Sequence, residues 1–581
     1  MQRNARALID TTFDVLVVGG GAFGAAAARS AALRGLKTAL IERADFGSGA
    51  SAECFKMVHG GIRYLQHLDV VRARASCRER SALLRTAPHL VKPLPIAIPT
   101  YGRGRRGKLF LGAGLRAYDV LTWDRNRGIR DPARRIGPGR FLSRTETLEL
   151  FPHLDSVGLT GAAIFEDGQM HNPARLVLAF VKSAVAAGAV ACNYVEAKRI
   201  VFDGRTAIGA EVEDRLDGER FVIRARGILN AAGPWAEYLF DDASRFGAWQ
   251  RSNFSRDAYF IIDRPPSSSY ALAIPGLSRD QDAVLSRANR HLFLVPWRDK
   301  TLVGVWHRLF PQSPDAARIE EPEFEQWLEE INAVNPNLKL ARREIVFSDC
   351  GLVPFGDHAD DNALQFGKES RLIDHRQTHG IGGLVTLIGI RYTMARADAE
   401  RALDALLAQQ EKRPPQVDTQ NMPLAGGAIA DIQAFRSAAH ANRPAFLSEA
   451  TLDSLLCNHG TDYLRVLERA TAEQHLRATV PRTNVLAAEV EHAIEEEMAV
   501  HLSDIVLRRT DMSGHEHPGR AALEFTAECM ARYLGWSAQR ISDEISDTEA
   551  ALARHHAVDR TGAADRVQNA SVGSMLAKLS A

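Results

Sequence analysis

The spacing of apolar and polar positions divides the chain into stretches of different period. Residues 15–18, Val-Leu-Val-Val, form an unbroken apolar run, as in a strand buried on both faces of a parallel sheet. An alanine-rich helical stretch over 25–34, stopped by Gly35, and a second apolar run over 36–41 complete a strand, helix, strand unit. The alternation returns at 174–187, where Leu176, Val177, Phe180 and Val181 predict a helix closed by Gly188, with a strand over 190–195. It returns again at 387–407, as a short apolar run, Gly389 and a helix over 397–407. Between these units the period changes to two. Residues 200–224 alternate around turns at Asp203-Gly204 and Asp217-Gly218, and residues 255–310 repeat the pattern in strands at 259–262, 292–295 and 302–305. Beyond 421 the pattern is helical. There Val490, Ile494, Met498, Leu502 and Ile505 predict one amphipathic packing helix flanked by Glu495, Glu496 and Glu497. Residues 559–581 are polar and weakly patterned, and read as a mobile tail.

The first unit carries chemistry. Gly19, Gly21 and Gly24 form G-x-G-x-x-G where the strand should turn into the helix. Gly19 permits the turn, Gly21 lets a pyrophosphate reach the backbone, and Gly24 lets helix and strand pack closely. Ala22 then stands at a helix N-terminus, whose free N–H groups attract phosphate. Glu42, followed by Arg43, lies at the end of the second strand, where a carboxylate accepts a ribose hydroxyl and disfavours a 2′-phosphate. The predicted tenant is a dinucleotide other than NADP.

Composition narrows the class. A chain of 581 residues exceeds one hydrophobic core, so at least two domains are expected. Lys plus Arg number 72 against 71 Asp plus Glu, which gives no global attraction to nucleic acid. The six cysteines are scattered without a C-x-x-C pair, which suits a reducing compartment and argues against zinc or iron–sulfur ligation, so no metal is expected. Residues 1–12 lack a signal-peptide core, and no 18-residue stretch is free of charge. A cytoplasmic protein, or one peripheral on the inner membrane face, is expected. The exception to even charge is 103–135, with ten basic residues, three acids, and Leu109, Phe110, Leu111, Leu115, Tyr118, Leu121 and Trp123 interleaved. This reads either as an interfacial segment on anionic lipid or as a solvated basic helix. No nucleic-acid motif accompanies it.

Further along lies Lys56-Met57-Val58-His59-Gly60-Gly61-Ile62-Arg63-Tyr64-Leu65, then Ala225-Arg226-Gly227-Ile228-Leu229-Asn230-Ala231-Ala232-Gly233-Pro234-Trp235, then Val295-Pro296-Trp297. With the glycine-rich start, this order resembles the FAD-dependent glycerol-3-phosphate dehydrogenase family from about residue 13 to about residue 555. The resemblance implies an α/β flavoprotein: a Rossmann-like, glutathione-reductase-like FAD-binding domain, an interleaved antiparallel β substrate domain, and an all-α C-terminal domain. Its FAD-binding segments would be 13–95, 160–235 and 345–410, its substrate segments 96–159 and 236–344, and its helical domain 421–558. It implies FAD in the pocket, with Lys56, His59, Gly60 and Gly61 beside the flavin, the backbone of Val195 near the adenine, and Ala232 and Gly233 at the pyrophosphate. Gly389, Tyr392 and Thr393 would enclose the flavin near another helix N-terminus, which stabilises charge at the N1/C2 carbonyl. Relatives on membranes pass electrons to quinone, and a homodimer is a further possibility of the family.

The substrate positions depart from the family. Its string G-G-K-[LFWY]-T-T-Y-R becomes Gly389-Ile390-Arg391-Tyr392-Thr393-Met394-Ala395-Arg396, and Val353 stands where relatives place a phosphate-binding arginine. Glu53 and Phe55 precede Lys56, Gly-Thr-Thr-Asp becomes Gly304-Val305-Trp306-His307, and Tyr259 replaces a histidine. Charge-assisted bonds to phosphate contribute about 1.5–3 kcal/mol each, so these changes predict a substrate other than glycerol-3-phosphate: a polyol, sugar or hydroxy acid with a larger or less charged tail. Glu53, Tyr259, Trp306, Val353 and Arg391 are the candidate substrate residues. His307 is the first candidate base and His59 the second, with Arg391 and Tyr392 binding substrate or stabilising reduced flavin. His171, beside Asn172-Pro173, reads as a structural turn residue. Two other classes are a flavin oxidase using oxygen and a flavoprotein retained as a binding factor.

Overall fold

The structure is a computed structural model. It describes residues 1–558 except 63, 65–68, 103–106, 248–250, 280–288, 361–362, 367–368 and 411–412. The tail at 559–581, Arg63 and Leu65 of the glycine-rich loop, and Arg103, Arg105 and Arg106 of the basic stretch lie outside the described residues.

The apolar runs assemble a six-stranded sheet. Val15–Val18 lies at its centre, paired in parallel with Thr38–Ile41 on one side and Ile228–Asn230 on the other. Leu384–Ile388 and Val190–Cys192 extend it in parallel, and antiparallel Arg371–Asp374 ends it. Every residue of Val15–Val18 and Thr38–Ile41 is buried, as strands covered on both faces require. The Ala22–Leu33 helix buries Ala25, Ala28 and Ala31 in one core with Leu176 and Phe180 of the Pro173–Ala186 helix and Leu403 and Leu406 of the Ala395–Gln409 helix. Alanine's small side chain lets the helix lie close between its neighbours. The period-two stretch at 200–224 becomes the antiparallel strands Val195–Asp203, Thr206–Asp214 and Arg220–Ala225, joined by Thr12–Phe13 in a four-stranded sheet.

A ten-stranded sheet forms the second domain. Its strands Phe254–Ile262, Asn289–Trp297 and Lys300–Phe310 match the alternating pattern, but two boundaries read from the sequence move. Leu159–Met170 pairs with Val91–Tyr101 along its whole length, and Ile345–Asp360 pairs with Phe254–Ile262. Both therefore belong to the large sheet and not to the cofactor segments beginning at 160 and 345. Leu159–Met170 reaches the Pro173–Ala186 helix within two residues, with no long turn to mark the passage, and Ile345–Asp360 stays in the large sheet through a further antiparallel pairing with Ala363–Phe366 before the six-stranded sheet resumes at Arg371.

The C-terminal region is helical, from Ile432–Ala441 to Ala538–Arg554. The single helix expected through 490–505 divides. Ala487–Glu497 stops at Met498, which takes a left-handed backbone (φ 56°), and a new turn starts at Leu502. The break turns Glu497 inward against Arg175 (2.5 Å) and Lys182 (3.2 Å) of the FAD domain. A second buried tie joins Asp45 to Arg509 by two bonds of 2.6 and 2.7 Å and to Arg508 at 2.6 Å. Burial would raise the Asp45 carboxyl, but the two guanidinium groups outweigh it and hold it well below the usual carboxylate range. His171 joins this seam, its Nε2 2.9 Å from Asp511.

Candidate active site

A cavity of about 1010 Å³ opens where the two sheets and the helical domain meet. It lies at the top of the size range of small-molecule sites, as a cofactor with a substrate beside it requires.

The nucleotide end is made mostly of backbone. Gly19, Gly21 and Ala22 border it, and Gly21 caps the helix without any side chain. A Cβ at Gly24 would stand 1.8 Å from the Gly19 carbonyl, so Gly24 lies outside the cavity and holds the turn in shape from behind. Glu42 accepts the N–H groups of Gly20 (2.6 Å) and Ala44 (2.9 Å), one on each oxygen, and borders the cavity with lone pairs to spare. Burial raises its pKa while these two N–H groups oppose the rise. Arg43 stacks over Trp235 at 4.2 Å, and both side chains bond Asp315, which closes this end. Val195, Ala232 and Gly233 complete it. A glycine cradle at a helix N-terminus, with a carboxylate at the end of the next strand lining the same cavity, fits the diphosphate and adenosine of FAD.

The middle of the cavity joins two loops. Thr393 Oγ1 accepts the His59 N–H at 3.0 Å, and Gly61, Gly389, Arg391 and Tyr392 border the space between. Gly60 is not in the wall. It packs on Arg80, whose NH1 a Cβ there would approach to 1.9 Å. Arg80 in turn holds Asp167 at 2.7 Å, and His59 Nδ1 lies 3.8 Å from the same carboxylate. Burial would raise the Asp167 pKa, but His59 and Arg80 hold it low. Arg391 donates to Tyr64 Oη (2.8 Å) and Ser76 Oγ (3.0 Å). The Tyr392 hydroxyl is committed to the Pro173 carbonyl at 2.9 Å, which leaves its ring rather than its hydroxyl to the cavity. Lys56 sits beneath the wall, with Nζ donating to the Ala52 carbonyl at 2.7 Å and lying 5.3 Å from the Tyr259 ring.

The substrate end is made of side chains. Phe254–Ile262 and Ile345–Asp360, paired in register, present Asp257, Tyr259, Asp349 and Val353 to the cavity, and the neighbouring Lys300–Phe310 strand adds Val305 and His307. His307 Nδ1 is 2.8 Å from Asp257 Oδ1. Glu53 and Phe55 come from the loop before Lys56, where Gly351 lets the loop approach: a Cβ on it would meet the Glu53 carbonyl at 2.9 Å. Burial and the nearby Asp349 push the Glu53 carboxyl up to about 8. Trp306 does not join them. It stacks between Phe260 (5.2 Å) and Trp327 (4.9 Å) in the core on the other face, with Nε1 on Glu330 at 2.9 Å. Adjacent strand residues point to opposite faces, so His307 in the cavity puts Trp306 behind the sheet.

Asp257, Asp167, Arg80 and His555 were not singled out in the sequence. Asp257 was within reach, because it shares strand parity with Tyr259. Asp167 and Arg80 are long-range partners with no local signal. Among the described residues one group has metal-ligand spacing, His459, His492 and Glu497. Arg175 already donates to His459 Nδ1 at 3.1 Å and to Glu497, so a fixed cation stands where a metal ion would bind.

Comparison with known proteins agrees with this geometry. Residues 14–395 match the family model described as FAD dependent oxidoreductase, and residues 417–541 that of the C-terminal domain of alpha-glycerophosphate oxidase. The chain is 29% identical over 554 residues to a glycerol-3-phosphate dehydrogenase of Synechocystis sp., covering 94% of this chain and 97% of that one. It is 29% identical over 511 residues to the aerobic glycerol-3-phosphate dehydrogenase of Bacillus subtilis, covering 86% and 87%. The crystal structure of the Bacillus halodurans glycerol-3-phosphate dehydrogenase complexed with FAD has the same fold, with a TM-score of 0.69 at 22% identity over 94% of this chain and 96% of that one.

Proposed function

The chain belongs to the FAD-dependent glycerol-3-phosphate dehydrogenase family, and from that premise we propose that it oxidises a CH–OH group of an unphosphorylated polyol or sugar derivative. FAD is its cofactor. Bound FAD supplies a two-electron acceptor that takes hydride at N5. The protein's own residues supply the rest. The Asp257 carboxylate lies 2.8 Å from His307 Nδ1, an anion beside that edge of the ring, and we assign the hydroxyl proton to the other nitrogen, Nε2. Phe55, Tyr259 and Phe293, edge to face at 5.6 and 6.2 Å around Phe55, offer apolar surface to the carbon chain and exclude water from it. Arg391, oriented by Tyr64 and Ser76, favours negative charge near the helix N-terminus that follows it.

One observation carries the choice of substrate: the wall at Val353 pairs an aliphatic side chain with the carboxyl groups of Glu53 and Asp349. A phosphate dianion there would meet the ionised Asp349 carboxylate and a neutral Glu53 carboxyl instead of a guanidinium. Arg290 also reaches the cavity but is engaged within the protein.

Electron delivery to a membrane quinone is supported by the Lys108–Leu121 helix. It buries Leu115 and Tyr118, while Leu109 is 92% exposed and Trp123, just past its end, 76% exposed, beside the exposed cations Arg116, Arg127 and Arg130. Among the described residues no helix is long and apolar enough to cross a membrane.

The deciding experiment is anaerobic flavin bleaching against phosphorylated and unphosphorylated polyols. Rapid bleaching by an unphosphorylated polyol is expected. Bleaching by glycerol-3-phosphate alone overturns the proposal, and stoichiometric peroxide in air would assign the electrons to oxygen instead of quinone.

A further inference from the structure

Part of the cavity wall comes from outside both matched domains. His555 follows the Ala538–Arg554 helix, beyond residue 541 where the second match ends, and it borders the cavity with Ala551 and Arg554 of that helix. It is held from two sides. The Ser348 N–H donates to the His555 carbonyl at 2.7 Å, and Ser348 Oγ lies 2.8 Å from His556 Nδ1, so the end of the helical domain is tied to the Ile345–Asp360 strand. The His555 ring stacks on Phe347 of that strand, with centroids 5.0 Å apart and planes 8° from parallel. Its Nδ1 then lies 3.4 Å from Asp349 Oδ1.

The groups around it divide into committed and available ones. Asp349 is committed: Oδ1 accepts the Cys350 N–H at 3.0 Å, and Oδ2 accepts the Tyr259 hydroxyl at 3.2 Å. The Glu53 carboxyl borders the same space and makes no hydrogen bond or ion pair with the described residues. It faces Asp349, His555, Lys56 and Arg508, and with its pKa near 8 it is protonated at neutral pH, able both to donate and to accept. Burial would lower the His555 pKa, but Asp349 raises it, which keeps the ring a donor.

We infer that His555 is a substrate-contacting residue contributed by the helical domain, and that with Glu53 it forms a subsite for a neutral, hydroxyl-bearing tail. Each hydroxyl of such a tail needs a donor and an acceptor, and this pair offers both without fixed negative charge of its own. The inference rests on the polyol oxidation proposed above, and it adds the residue that reads the tail.

The test uses the FAD-loaded enzyme, with glycerol, erythritol, xylitol and glycerol-3-phosphate as probes of anaerobic flavin reduction. His555→Ala should raise the KM for xylitol about tenfold, the loss of one good hydrogen bond to a charged donor, while glycerol, which has no tail to hold, changes little. The limiting rate should fall far less than KM rises, and His555→Asn should recover part of the loss by restoring a donor. Glu53→Gln, neutral at every pH, should remove the weakening of xylitol binding that the wild type shows as pH rises through about 8. Flavin content and melting temperature establish that each variant is folded. An equal loss for glycerol and xylitol, or no change for either, overturns the subsite. If only glycerol-3-phosphate bleaches the wild type, the polyol reading falls by itself. In that case a KM for glycerol-3-phosphate unchanged in His555→Ala overturns the His555 contact as well, and a several-fold rise retains it.

Discussion

The two ends of the cavity are built from different material. At the nucleotide end the wall is mainly backbone: Gly19, Gly21, Ala232 and Gly233, the N-terminus of the Ala22–Leu33 helix, and a carboxylate already held by two N–H groups. At the substrate end it is side chains, delivered by two paired strands, a loop and the helical domain. A backbone site recognises by shape, and any added side chain removes it. A side-chain site changes its ligand through single replacements while the fold stays as it was. The first end therefore reports the family, and the second reports what this member has become.

Each half of that comparison can be broken separately. The largest effect is expected at the backbone end. Gly24→Val drives a side chain into the Gly19 carbonyl, an overpacking cost of about 1–3 kcal/mol or more, and flavin absorbance per protein should fall about tenfold or beyond. Next is His307→Ala, which should slow flavin reduction about 10²–10⁴-fold while the flavin stays bound; an unchanged rate with an unchanged pH profile would remove His307 as the base. The pair Val353→Arg with Glu53→Gln should act in the opposite sense, gaining roughly 1.5–3 kcal/mol of phosphate affinity and lowering the KM for glycerol-3-phosphate about 10- to 100-fold. The seam serves both ends and gives a pH test. Asp45 has a folded-state pKa below its unfolded value of about 3.9, so its stabilisation is fully present above that pH and is lost as pH falls further. The melting temperature should drop as pH falls below about 4, and less so in Asp45→Asn. The smallest effect belongs to the surface: Leu109→Ser with Trp123→Ser should weaken cosedimentation with anionic vesicles several-fold and leave flavin reduction by a soluble substrate unaltered.

The contrast also explains what could be read from the chain. Gly19, Gly21, Gly24 and Glu42 lie within one strand, helix, strand unit, so local spacing carries their meaning. The substrate end depends on parity and on distant pairing. Parity was available: with His307 facing in, Trp306 had to face out, and Asp257 had to share the face of Tyr259. Distant pairing was not, since nothing near His555 points to Asp349, two hundred residues earlier, or to Glu53. The helix expected through 490–505 failed for a related reason. Its stripe is apolar at the right spacing, but Glu497 has buried partners, Arg175 and Lys182, on another domain, and reaching them bends the chain at Met498.

The sheet at the nucleotide end has a consequence for synthesis. Its central strand, Val15–Val18, leaves the ribosome several hundred residues before Leu384–Ile388 and the Ala395–Gln409 helix that complete its core. At about 5–20 residues per second, that interval is on the order of tens of seconds. Throughout it, the apolar faces of the unfinished sheet lack their native cover, an aggregation-prone interval that ends only when the last strand and helix arrive.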